Sequence, residues 1–288
     1  MKLFVRDLTV IDATYLDVTR GFVGESYQVD VVLDGEINEQ SMILDFSLVK
    51  KQIKKIIDAE VDHKLLVPHA ASECTVNIEP ERTQIDYVLD DKSVIQLKSP
   101  HEAYCLLESE TITKSLLANY LEHVVLMKLP ENVTGLSITL RNEQITTPFY
   151  QYTHGLKKHD GNCQRIAHGH RSKIDIYING EYSEIWVKKW AARWQDIYLA
   201  SESDVIERAD LSFITLKSPV PVHCSAYHAP QGYFELLMPA SRCEVLDNDT
   251  TVEELARFIC ESIKQEEQKN TVTVYAYEGI GKGAIAEL

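Results

Sequence analysis

Residues 169–184 read GHRSKIDIYINGEYSE, and residues 24–39, 145 positions earlier, read GESYQVDVVLDGEINE. Laid over each other without a gap, they match Asp30 with Asp175, Gly35 with Gly180, Glu36 with Glu181 and Glu39 with Glu184. Agreement at turn-forming and charged positions at one constant spacing is the mark of an internal duplication. A second echo, VIQLKSP ending at Pro100 and FITLKSP ending at Pro219, has a spacing of 119 and implies about 26 extra residues in the first half, between His63 and Asp90. The 288-residue chain is therefore expected to hold two tandem domains, 1–145 and 146–288, each close to the usual domain size.

Alternation and β-branched residues predict strands over 26–34 and 172–179, each followed by an Asp-Gly or Asn-Gly turn that starts a hairpin. Phe46, Val49, Ile53, Ile56 and Ile57 recur at helical spacing with lysines on the other face. Trp186, Trp190, Trp194 and Ile197 predict the counterpart helix over 186–199. Later helices are expected at 114–128 and 252–264, the second capped by Thr251 with Glu254 three residues on, and closing strands at 136–141 and 271–277. The proline-rich PVPVHCSAYHAPQGY, ending at Tyr233, reads as a loop. The expected class is α+β, with antiparallel sheets and helices packed on one face.

With 29 Lys+Arg against 44 Asp+Glu the formal charge is −15, which argues against a nucleic-acid or anionic-membrane partner. The six cysteines are scattered without a CxxC pair, so a reduced, cytoplasmic compartment is expected. The amino terminus, MKLFVRDLTVID, has no apolar signal core, and no stretch approaches a membrane span.

His168 and His170 are separated by one residue at the start of a strand, so both imidazoles project from one face. His154 ends the preceding predicted strand, and antiparallel pairing would bring it beside them. Three histidines from two adjacent strands suit Zn2+ with an open fourth position. Cys163, in the loop between them, has two readings: a nucleophile or base, with its thiolate favoured by Lys157, Lys158, Arg165 and the metal, or a fourth ligand closing a structural site.

This stretch resembles the zinc motif of the 6-pyruvoyl tetrahydropterin synthase and 6-carboxytetrahydropterin synthase family, in which a strand ends in histidine, a cysteine follows in a loop, and HGH opens the next strand. The resemblance extends over most of the chain, twice, as two T-fold-like domains. MILDFSLVKKQIKKIIDAEVDHKLL is similar to the family's Asp-Phe pair, helix and Asp-His dyad, which it puts at Asp62 and His63. DTTVEELARFI resembles its threonine-glutamate helix start, at Thr251, and VTVYAYEGIGKGAIAEL its last hairpin, where Glu278 would anchor the pterin. The resemblance implies a zinc-dependent lyase acting on dihydroneopterin triphosphate or a relative, giving a pyruvoyl product or the carboxy product used towards 7-deazaguanine compounds such as queuosine. It also implies a homo-oligomer whose sheets form a barrel with pockets between subunits. Cys163 would move one proton, and Asp62 with His63 another.

The copies differ where the chemistry lies. In the first, Tyr15, Val23 and Glu25 stand at the three ligand positions. In the second, the 145 spacing puts Glu207 and Arg208 at the dyad. The metal and the dyad are thus expected in different halves, meeting in one site. Lys157, Lys158, Arg165, Arg171 and Lys173 are a candidate phosphate patch. Two other readings are kept: an idle pterin- or purine-binding protein with a structural zinc, and a first half that is only scaffold, with His159 or His228 as the acid or base.

Overall fold

The computed structural model describes all residues except 38, 40, 41, 44 and 160, and all side chains of the rest except those of Phe46 and Ser47. Asn38 of the repeat, Leu44 and the Phe46 side chain therefore lie outside the described residues. The first half runs β1 (Lys2–Asp17), β2 (Gly21–Gly35), α1 (Phe46–Glu60), β3 (Leu65–Pro68), β4 (Cys74–Ile78), β5 (Arg82–Val88), β6 (Val94–Pro100), β7 (Tyr104–Leu107), α2 (Lys114–Leu126) and β8 (Val133–Arg141). The second runs β9 (Phe149–His154), β10 (His168–Ile178), β11 (Glu181–Tyr182), α3 (Glu184–Arg193), β12 (Ile197–Ser201), β13 (Val222–Ala229), β14 (Gly232–Pro239), β15 (Cys243–Leu246), α4 (Val252–Glu266), β16 (Val272–Tyr277) and β17 (Gly283–Glu287).

The duplication is visible in strand order. One sheet is β7-β3-β1-β2-β8, and its counterpart is β15-β12-β9-β10-β16-β17, with β11 paired to β10. The fold is α+β, but the sheets are mixed: β3 lies parallel to β1 and β7, and β12 parallel to β9 and β15. In each half a helix intervenes between the antiparallel pair and the next strand, and a helical crossover brings a strand back in parallel.

Each sheet buries one face under its own helices. Val49, Ile53, Ile56 and Ile57 of α1 and Leu117 and Leu121 of α2 pack on Val29, Val31 and Leu33, while Lys50, Lys51, Lys54 and Lys55 stay exposed. In the second half Trp186, Trp190 and Trp194 fill the same layer against Ile259 and Ile263. Helix α3 is shorter than the predicted 186–199: it ends at Arg193, and Ile197 and Leu199 belong to β12. The tryptophan period holds across this boundary because Trp194 caps the helix and still faces the core, stacked on Phe258 at 6.2 Å.

A third sheet, β13-β14-β6-β5-β4, draws strands from both halves. Its central pairing sets Leu236 against Leu97, Glu235 against Lys98 and Leu237 against Gln96. Strand β6 ends at Pro100 before a short helical turn and β7, and β14 ends at Pro239 before the same turn and β15. The counterpart of VIQLKSP is therefore β14, and FITLKSP is irregular chain. The supposed extra segment after His63 is not extra: it supplies β3 to β5, and residues 197–229, with β12 and β13, occupy the corresponding stretch. Nor is the proline-rich segment a loop, since β13 and β14 form a hairpin there, with Pro219 and Pro221 before the first strand and Pro230 in the turn. Of the two expected turns, Asn179-Gly180 (φ 51° and 81°) makes the β10–β11 hairpin. Asp34-Gly35 does not, because Gly35 stays in β2 and pairs with Val133 of β8.

The two helix-backed sheets meet through their other faces, where the repeat relates residues across a pseudo-two-fold axis. Gly24 and Gly169, equivalent in the duplication, lie at the crossing. A Cβ on Gly24 would stand 2.1 Å from the Tyr152 carbonyl oxygen, and one on Gly169 2.4 Å from Thr14 Oγ1 and 2.7 Å from the Gly24 Cα. Thr14 and Thr153, also equivalent, share a buried hydrogen bond of 2.9 Å. Gly24→Ala should therefore lower folding stability by ~1–3 kcal/mol or more in denaturant melts. Gly135→Ala, whose nearest neighbour would be the Asp34 side chain at 3.3 Å, should cost well under that. Equal effects would contradict the close crossing.

Candidate metal centre and active site

Strands β9 and β10 set His168 directly opposite His154, and Gly169 and His170 opposite Thr153 and Tyr152. All three imidazoles are fully buried, and one nitrogen of each lies within 4.8 Å of the others. Their Nδ1 atoms point away from the shared space. His154 Nδ1 bonds the Thr250 carbonyl at 2.9 Å, His168 Nδ1 the Arg165 carbonyl at 3.0 Å, and His170 Nδ1 faces Asp12 Oδ1 at 3.3 Å. The three Nε2 atoms, and the Nδ1 of His170, are buried and have no hydrogen-bond partner among the described residues, so the distal nitrogen is hydrogen-bonded in His154 and His168 alone. Buried polar atoms are rarely left unpaired, and holding the distal nitrogen while freeing the proximal one is how metal-binding histidines are oriented. Burial and neighbouring imidazoles push His154 and His168 well below the usual histidine range, so both are neutral donors. This donor set fits zinc.

The dyad comes from the first half. Asp62 and His63 follow α1, and the His63 ring lies 5.1 Å from that of His168. Asp62 Oδ2 bonds His63 Nδ1 at 2.7 Å, and donor atoms of His63, Cys163 and His168 fall within 4.8 Å of one another. Burial opposes charging His63, but Asp62 and Cys163 outweigh it and push its pKa up to about 10. His63 sits at φ 55°, a costly conformation for a non-glycine residue. Its N–H donates to the Asp12 carbonyl at 2.8 Å and the Asp12 N–H to Asp62 Oδ1 at 2.9 Å, which hold it there. The cysteine loop is tied down by Leu156 N–H to the Cys163 carbonyl (3.1 Å), Tyr227 OH to that of Gln164 (2.7 Å) and Tyr198 OH to that of Ile166 (2.8 Å).

Glu278 begins the β16–β17 turn with Oε1 4.0 Å from His170 Nε2 and Oε2 3.4 Å from Lys282 Nζ. Thr251 caps α4, its hydroxyl accepting from Glu254 N–H, while the adjacent Thr250 touches His154. The phosphate patch does not form as one free surface. Lys157 pairs with Asp204, Lys158 with Asp249, Lys173 with Asp175, and Arg171 with Glu25 while lying over Phe149. Buried Arg165 donates to the Asp62 carbonyl at 3.1 Å. His228 stacks on Tyr233 in the third sheet.

The pairing register identifies the dyad's true counterpart. Leu65 lies beside Thr14 as Tyr198 lies beside Thr153, so Asp62 and His63 correspond to Gln195 and Asp196. Glu207 and Arg208 are not equivalent to them, because the constant 145 spacing fails after the helix. Asp196 even repeats the unusual backbone, at φ 56°. Tyr15 opposes Val23 as His154 opposes His168. In this mirror site Arg20 is gripped by both Asp196 oxygens (2.6 and 2.8 Å) and also donates to Gln151 Oε1 (2.7 Å) and the Tyr15 hydroxyl (3.3 Å). A guanidinium and its carboxylate thus pair at the place that corresponds to the His63 turn. Sequence reading missed Asp12 and Arg20, since lone charged residues without a motif carry no signal until the register is known.

Purified protein should accordingly carry about one zinc per chain, and His168→Ala should lose most of it, as measured by metal analysis after dialysis. Two zincs per chain, or full retention by the variant, would contradict this donor set.

The model of the 6-pyruvoyl tetrahydropterin synthase family matches residues 22–134 and again 145–287. A Pyrococcus abyssi protein named "Putative 6-carboxy-5,6,7,8-tetrahydropterin synthase" is 29% identical over 128 residues, 44% of this chain and 73% of that one. A protein of the same name from Methanocaldococcus jannaschii is 31% identical over 127 residues, 42% of this chain and 74% of its own. The 6-pyruvoyl tetrahydropterin synthase structure from Plasmodium vivax is 16% identical, covers 50% of this chain and 98% of its own, and has a TM-score of 0.38, a likeness that says nothing about the site. With both halves matched in turn, the chain belongs to the 6-pyruvoyl tetrahydropterin synthase family.

Proposed function

We propose that the chain is a zinc-dependent pterin synthase whose single site is assembled from both halves, acting on dihydroneopterin triphosphate or a close relative. The observation that carries this reading is the meeting of His154, His168 and His170, with their free Nε2 atoms, and the chain of groups Cys163, His63 and Asp62 from opposite halves. Zinc held by the three histidines would act as a Lewis acid on the substrate's side-chain oxygens.

The protein's own groups do the rest. Asp62 holds His63 through Nδ1, with a His63 nitrogen close to the Cys163 thiol. Cys163 takes a proton from the substrate side chain, and His63 holds or returns one. Glu278, partly exposed at the mouth, accepts paired hydrogen bonds from the amino-pyrimidine edge. The Thr251 hydroxyl oxygen already accepts a hydrogen bond at the helix cap and keeps its proton to donate to the ligand. The names of the relatives favour the 6-carboxy product over the pyruvoyl one. We take the protein to be cytoplasmic and a homo-oligomer, with β8 and β17, each the last strand of its sheet among the described residues, able to join another copy. A division at 145/146 serves to name the halves, and the shared third sheet makes each of them depend on the other.

A second reading makes Cys163 a structural fourth ligand in an idle pterin- or purine-binding protein. It is favoured by the closeness of Cys163 and His168 donor atoms. Incubating zinc-loaded protein with dihydroneopterin triphosphate and following products by mass spectrometry tests the main reading. Cys163→Ala should abolish turnover while keeping zinc, and His63→Ala should lower it by ~10²–10⁴-fold. No product from the wild type, or zinc lost with Cys163→Ala, would favour the second reading.

A further inference from the structure

We infer that Asp12, a first-half residue, is the outer-shell carboxylate that positions the metal ligand His170, so that the second half's metal site is incomplete without the first. This rests on the three-histidine reading of the metal centre.

Two of the three ligands are oriented by backbone carbonyls of their own half, Thr250 and Arg165. His170 has none. Its Nδ1 is buried and makes no hydrogen bond among the described residues, and Asp12 Oδ1, on β1 of the opposite sheet, stands 3.3 Å from it. Asp12 is itself only 3% exposed. Its orientation is set from the first half by the Ser26 hydroxyl, which donates to Oδ1 at 2.5 Å. On the other side Lys282 Nζ stands 3.5 Å from Oδ2 and 3.4 Å from Glu278 Oε2. A carboxylate facing Nδ1 selects the tautomer with the proton there, leaves Nε2 as the lone-pair donor and makes the ring more basic.

The backbone of the same residue does a separate job. Asp12 N–H donates to Asp62, and its carbonyl accepts from His63. Residue 12 therefore joins the metal ligand, the dyad and, through Lys282, the hairpin bearing Glu278. Side chain and backbone can be separated by substitution, since Asp12→Asn keeps the backbone contacts and the shape and removes only the charge. The repeat supports the assignment by contrast: the equivalent residue is Gln151, which faces Arg20 in the mirror site, where no metal ligand needs a carboxylate.

The test is zinc affinity by chelator competition, with the visible spectrum of the cobalt-substituted protein as a second readout. Asp12→Asn should weaken zinc binding ~10–100-fold, the usual effect of losing an outer-shell partner, and alter the cobalt spectrum, with circular dichroism unchanged. Asp30→Asn, which removes a buried carboxylate paired with Arg6 and Arg141, should leave both readouts as in the wild type. Wild-type affinity and spectrum in Asp12→Asn, or equal weakening in Asp30→Asn, would overturn the inference. Should Asp12→Asn not fold, Ser26→Ala frees the carboxylate to turn: several-fold weaker zinc binding supports the assignment, and no change overturns it. These readouts involve no pterin, so failure here is distinguishable from failure of the synthase reading.

Discussion

The close crossing at Gly24 and Gly169 is the constraint on which the rest depends. Two twisted strand pairs can approach face to face until a carbonyl lies where a Cβ would be only if both residues at the contact lack one. The approach puts the Asp12 strand against the histidine strand and brings the first half's Asp62–His63 turn to the second half's cysteine loop. The duplication makes the contact self-complementary, as in a two-fold dimer, but within one chain. The Leu97–Leu236 pairing in the third sheet obeys the same symmetry, so the halves are joined twice by related contacts.

A symmetric scaffold starts with two equal sites, and fusing the copies frees each to change alone. One keeps three buried imidazoles facing one another, with the Cys163 thiol near His168. In the other the three ligand positions hold Tyr15, Val23 and Glu25, and the mirror region is occupied by Arg20 paired with Asp196. In both, a basic side chain lies against the carboxylate beside it, His63 against Asp62 and Arg20 against Asp196. Even the left-handed turn residue survives in both, as His63 and Asp196.

Much of this was legible in the sequence, for reasons that can be named. The alternation at 172–179 and the helical spacing from Val49 to Ile57 are properties of faces that must be buried, so pattern and structure agree. HGH on a strand is a local geometric statement, and so is a histidine one strand earlier. What sequence could not carry was register. The FITLKSP echo matched letters but not place, and the constant spacing broke after α1 and α3 because the second half's turn comes twelve residues sooner. Asp12 and Arg20 act across the crossing, and nothing next to them in the chain announces it. Proline content misled at 219–233 because prolines that precede a strand or sit in its turn leave the strand intact.

The account's central claim is that Cys163 of one half and His63 of the other serve a single proton-moving unit. A double-mutant cycle on kcat/KM, comparing Cys163→Ala, His63→Ala and the double variant, reads this coupling directly. Groups acting as one unit give strongly non-additive losses, so the account predicts that the double variant is about as impaired as the worse single one. Losses that multiply would mean independent roles and would contradict a shared site.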